Sequence, residues 1–244
     1  MRQQPFRTQA IAEAETAARL TRKPGGGDMA ELSLEDGLDV LDRRSRRVRQ
    51  IVYAYLVATL AYCAVLAGDV AGILDLETED PGGLELVGVA VAFVYAVIFI
   101  ASVVIIARWI YRAHANVRAS GGQNLDVTPG WAVGWFFVPI ANLFKPFQAM
   151  RELWNASHLE HDYFVQESPA LLKLWWGFWI VGNLISNLSL RFAFSDAEKA
   201  GAVGSMLDLA GCVLLLVSAW FLLRAVQAIN TAQRSTLSAA ATFG

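Results

Sequence analysis

Four apolar runs, roughly Ile51 to Leu74, Leu84 to Trp109, Leu171 to Leu190 and Ala202 to Leu223, constrain this chain more than anything else in it. Each approaches or exceeds the ~20 residues that carry a helix across the hydrocarbon of a bilayer. A hydrophobic content of 55% would be costly on a soluble surface and suits a chain whose solvent is largely lipid. The fold class this predicts is all-α, a polytopic membrane helix bundle with four transmembrane helices. The expected division is a cytoplasmic N-terminal region over 1–50, a membrane domain over 51–230 and a C-terminal tail over 231–244.

Charge orients the bundle. Arg43, Arg44, Arg46, Arg47 and Arg49 precede the first run, whereas the loop after it carries Asp69, Asp75, Glu77, Glu79, Asp80 and Glu85 and no Lys or Arg. The positive-inside rule then predicts cytoplasmic termini in a bacterial-type inner (plasma) membrane. A fifth apolar stretch, Trp131 to Phe144, is interrupted by Pro139 and Asn142 and is too short to span, so it reads as a cytoplasmic-side re-entrant or interfacial hairpin. With four crossings, only Arg191 and Lys199 of the 20 Lys and Arg fall outside. A fifth crossing would strand Lys145, Arg151, Lys173, Arg224 and Arg234 there.

The first fifty residues hold no apolar signal-peptide stretch, so the first span is expected to act as its own insertion signal. Pro24-Gly25-Gly26-Gly27 breaks this region, and Met1 and Met29 both stand as natural starts. Ser33 with Asp36 resembles a capping box opening an amphipathic helix that runs into the first span. Cys63 and Cys212 lie in apolar runs and read as small buried hydrophobes.

Within the spans, Gly88, Ala92 and Ala96, and again Ala197, Gly201 and Ser205, recur at four-residue spacing and suit close helix packing. Asn183, Ser186 and Asn187 cluster in the third run and Asp208 lies in the fourth, where an ionisable group is costly and raises a functional question. Two roles stand for Asp208: a structural hydrogen bond with Asn183, or part of an ion or proton pathway.

The densest signal runs from Arg108 to Ser157. Gly121 and Gly122 end a helix and Thr128-Pro129-Gly130 makes a turn. Trp131, Trp135 and Trp154 suit an interface, and Arg151 and Glu152, both counted among the candidate ligand-site residues, fall on a helix. Arg108, Arg112, Arg118, Lys145 and Arg151, with Asn116, Asn142 and Asn155, surround the hairpin, a set suited to an anionic lipid head group or another amphipathic anion. The opposing reading is that the arginines only obey the positive-inside rule and the asparagines only cap bent backbone.

The ordered residues Arg112, Asn116, Pro129, Trp131, Gly134, Trp135, Pro139, Asn142, Pro146, Arg151, Glu152 and Trp154 resemble a bacterial membrane-protein family known as domain of unknown function 4328. With the flanking spans the resemblance covers about 50 to 230. It implies a fold and no activity. Some relatives carry a cysteine-bearing adaptor before the membrane region, which 1–50 lacks.

His158 and His161, with Glu160 and Asp162, match neither metalloprotease spacing, and no metal or cofactor is expected. His114 reads as a surface residue. No phosphate loop, nucleophile elbow or catalytic carboxylate pair is visible, so no catalytic residue is assigned, and the basic residues lack the interleaved aromatics of nucleic-acid surfaces. The expected function is a non-enzymatic sensor or scaffold binding membrane lipids or a protein partner, with a homo-oligomer also open. The alternative is a small transporter or membrane enzyme using a cytoplasmic-side cavity.

Overall fold

The computed structural model describes residues 34–76, 78, 80–121, 125–158, 169–193 and 200–243. The capping box at Ser33, the glycine-rich break, Gly122, Ala197, Glu160, His161 and Asp162 lie outside them. The described residues form six helices: α1 (Leu34–Val70), α2 (Gly83–Ala119), α3 (Pro129–Gly134), α4 (Lys145–His158), α5 (Ala170–Ala193) and α6 (Ala200–Phe243). Two 3₁₀ turns, Trp135–Phe137 and Ala141–Leu143, lie between α3 and α4.

Among the described residues, three helices are long and apolar enough to cross a membrane: α1, α2 and the Val203–Thr236 part of α6. At 37 residues each, α1 and α2 reach about 55 Å, well beyond the ~30 Å hydrocarbon. The amphipathic stretch before Ile51 and the first apolar run are therefore one helix. The 24 residues of α5 reach about 36 Å, but Lys173, Asn183 and Asn187 dilute its apolar character.

Antiparallel register holds α1 to α6. Arg234 bridges Asp39 at 3.0 Å and Asp42 at 3.3 Å, the Tyr62 hydroxyl donates to Asp208 at 2.8 Å, and the Ser205 hydroxyl donates to Asp69 at 2.5 Å. Along α5 and α6, Ser218 donates to the Trp175 carbonyl at 3.0 Å and Ser189 to the Gly204 carbonyl at 2.8 Å. Between these contacts the backbones close in. A Cβ on Gly211 would lie 3.2 Å from the Gly182 carbonyl, so this glycine pair sets the α5–α6 approach. Of the small-residue sets expected to pack, Gly88 is buried beneath Val65 and Leu76 while Ala96 faces outward.

The core sits toward one end of the bundle, where Leu38, Leu41, Trp109, Ala113, Leu153, Val226 and Ile229 are buried together. The middle of α2 is the reverse, with Val89, Phe93, Val97 and Ile100 exposed, as a lipid-facing helix requires. The end with the core also carries Arg44, Arg108, Arg112 and Arg234 and is called the basic end below.

The chain between α2 and α5 starts and finishes at that end. Asn116 and Ser157 both meet Gln233, so the intervening residues return to the level they left. Thr128-Pro129-Gly130, expected as a turn, is instead the start of α3. Thr128 is its N-cap, accepting from the Trp131 amide at 3.3 Å, and Pro129 takes the first helical position, where its missing N–H costs nothing.

Candidate functional site

Two basic clusters that are far apart in sequence converge at the basic end. The Arg44 guanidinium of α1 donates to the Arg108 carbonyl of α2. The Arg112 guanidinium lies over Gly37, where a Cβ would collide with it and approach Asn116 Oδ1 to 2.6 Å. A larger residue at 37 would require the Arg112 guanidinium and the Asn116 side chain to move. Arg108, Arg112 and Arg47 act on Arg44 as like charges, and the Tyr111 hydroxyl opposes them. Asp39 and Asp42, which share α1 with these arginines, face α6 and are paired with Arg234 and Asn230. Like charge from both helices thus gathers on the α1–α2 side.

Beneath it lies a buried polar knot. Asn116 Nδ2 donates to the Gly37 carbonyl at 3.1 Å and to Gln233 Oε1 at 3.4 Å. Gln233 Nε2 donates to the Ala113 carbonyl at 3.1 Å and to Ser157 Oγ at 3.0 Å. Four helices, α1, α2, α4 and α6, are therefore joined through two fully buried amides. Unpartnered buried polar atoms gather at the same end: Trp109 Nε1, Arg112 Nε, both His114 ring nitrogens, and the amide oxygens of Asn116, Asn155 and Asn230. Buried polar groups are normally bonded, so such a concentration marks a place where solvent or a ligand is expected to contribute. His114, expected at the surface, is fully buried because its helical face is the one that also buries Ile110, Ala113 and Val117.

The segment from Pro129 to Phe144 flanks this region. Pro139 ends the 3₁₀ turn before it, and Ile140 follows at φ 66° and ψ −51°, with the Ala141 amide donating to the Pro139 carbonyl at 2.7 Å. This is a three-residue turn of the strained, positive-φ kind, here on a β-branched residue. Ile140 and Phe137 at its tip are 75% and 69% exposed. The Trp176 indole donates to the Leu143 carbonyl at 3.1 Å, tying the segment to α5. Trp131 packs against Trp135 with ring centroids 4.5 Å apart, and the Lys145 ammonium sits 5.7 Å from the Trp135 ring. Asn142, expected to satisfy bent backbone with its side chain, enters the turn through its amide N–H, which donates to the Val138 carbonyl at 2.9 Å.

Glu152 accepts from the Val127 amide at 3.2 Å, while Arg118 donates to the Leu125 and Val127 carbonyls, so both pin the stretch of chain leading into α3. Burial holds the Glu152 carboxyl above the usual carboxylate range. Pro146 is buried in the first turn of α4, and Trp154 stacks on His158 at 4.3 Å. The structure thus brings Arg108, Arg112 and Asn116 together with Arg44 and Arg47, while Lys145 sits over the Trp135 ring. Sequence reasoning missed Gly37, Ser157 and Gln233. Gln233 had a signal, since it falls on the α6 face that buries Val226 and Ile229.

The expected Asn183–Asp208 bond is absent. Asn183 donates to the Trp179 carbonyl of its own helix at 2.8 Å, and Asn187 to that of Asn183 at 2.7 Å. Asp208 points at α1 because α5 packs against the α6 face bearing Gly204, Gly211 and Ser218. Among the described residues no group of His, Cys, Asp and Glu is arranged to hold a metal.

A family model described as Domain of unknown function (DUF4328) matches residues 75–231. No curated protein and no solved structure matches the chain.

Proposed function

The chain belongs to the DUF4328 family, and from that premise we propose a non-enzymatic, four-span module of a bacterial inner membrane that binds an anionic lipid at its basic end. In this reading α1, α2, α5 and α6 cross, the basic end faces the cytoplasm, and the Pro129 to Phe144 segment dips into the inner leaflet. The head group sits against Arg44, Arg47, Arg108 and Arg112, with Lys145 and Arg151 of the adjoining segment extending the basic rim. The observation that carries it is the convergence of these arginines from two helices, with Arg44 bonded to the Arg108 carbonyl and Arg112 lying over Gly37, beside a segment whose tip exposes apolar side chains. Basic charge that is only a topology signal has no need to cluster across two helices.

Native mass spectrometry of the detergent-purified protein tests it. Each basic side chain near a surface contributes about 1 kcal/mol toward anionic lipid, so Arg108→Gln with Arg112→Gln should reduce anionic-over-zwitterionic retention roughly thirtyfold. Replacement of both by Lys should restore it only in part, because the planar fork to phosphate is gone. Unchanged selectivity in a variant that unfolds at the native temperature would refute the head-group assignment.

A further inference from the structure

Between α2 and α5 the bundle opens a cleft of about 550 Å³. Its back wall comes from α1 and α6, through Val52, Tyr55, Leu215 and Leu222, and its basic-end roof is Val133, Phe136 and Phe137. On α2 it runs from Ile110 to Phe99, which is about 16 Å at 1.5 Å per residue. That depth is close to the ~15 Å of hydrocarbon in one leaflet.

Three polar side chains on the wall donate to backbone carbonyls. Ser102 donates to the Phe99 carbonyl at 2.7 Å, Ser218 to that of Trp175 at 3.0 Å and Asn183 to that of Trp179 at 2.8 Å. Tyr55 is packed ring to ring with Tyr95 and Phe99. Both serine hydroxyl protons are thus committed and most of the lining is apolar, which suits a hydrocarbon chain that asks for no donor. The mouth leads to charge of one sign. Arg108 lies one helical turn beyond Val104, which lines the cleft, and Arg44 is bonded to the Arg108 carbonyl.

We propose that this cleft is a site for one acyl chain of a phospholipid whose anionic head group lies at the arginines. The proposal rests on the head-group reading for the identity of the lipid, and on the cleft alone for the seating of a chain. A single chain is the fit, since the cavity is of the size that encloses one compact ligand.

The test uses the full chain in nanodiscs doped with phosphatidylglycerol or phosphatidylcholine, each bearing a mid-chain diazirine, with cross-linked residues mapped by mass spectrometry. Cross-links should fall on Ser102, Ala219 and Leu222 at least about fivefold above the lipid-facing Val89, Phe93 and Val97, because only the cleft holds a chain in place. Filling the cleft with Ser102→Phe or Ala219→Phe should move the label to the outer face. The unsubstituted protein is decisive by itself, so a misfolded variant does not block the answer. Labelling spread evenly over both faces overturns the proposal, as does a map dominated by protein–protein cross-links through the cleft, which would make a second copy the occupant. The head-group reading fails separately, when both lipids label the cleft equally.

Discussion

Replacing Gln233 by Leu removes the centre of the buried knot while keeping volume and helix propensity. Three hydrogen bonds disappear, at 3.0, 3.1 and 3.4 Å. The two shorter ones are each worth ~1 kcal/mol net, and the long one about half that. The remaining partners are not stranded: Ser157 still donates to the Leu153 carbonyl at 2.7 Å and Asn116 to the Gly37 carbonyl at 3.1 Å. Added apolar contact offsets a little, leaving a loss of about 2 kcal/mol, which for a chain of this size lowers Tm by about 4–8 °C. Asn116→Leu alone should cost more, since it leaves Gln233 Oε1 buried without a donor. The double variant removes both amides, so its cost should fall short of the summed single costs by about 1 kcal/mol. Thermal unfolding in detergent, followed by circular dichroism, measures the cycle. Strict additivity would show that the two amides do not interact, and the account of how four helices are joined at the basic end would be wrong.

Asp208 should couple to Tyr62 and not to Asn183. A cycle of Asp208→Leu and Tyr62→Phe is expected to give about 0.6–1.7 kcal/mol, read from unfolding, and the cycle of Asp208→Leu with Asn183→Leu near zero. Ile140→Gly removes the positive-φ strain of the turn and should raise stability by about 1 kcal/mol; a loss would mean that the exposed side chain contributes more than the strain costs. Because burial raises the Glu152 carboxyl, its proton is held more tightly in the folded state, so folding should weaken as pH rises from about 4.5 through that raised value. Glu152→Gln keeps an acceptor for the Val127 amide and should flatten this part of the stability profile, and a profile identical to the native one would remove Glu152 as its source.

Much of the molecule was legible in order along the chain. Long apolar runs commit residues to helix because lipid offers the backbone no other partner, so the helical bundle and the break at Pro139 followed from local chemistry. The DUF4328 membership was likewise readable from the ordered Trp, Pro and Asn positions between Arg112 and Trp154. Which residues meet was not, since a helix presents several faces and composition does not select among them. Asp208 turned to Tyr62 because α5 took the adjacent face of α6, and Asn183 was left to bond within its own helix. His114 was enclosed with Ile110, Ala113 and Val117 on the buried face of α2, and Gly37 was set beneath Arg112 and Asn116 where α1 meets α2. Along the sequence, the arginines of α1 and those that end α2 read as two separate topology signals. Only antiparallel packing, which pairs Asp39 and Asp42 with Arg234 and Asn230, sets Arg44 and Arg108 side by side and concentrates their charge at one end of the bundle.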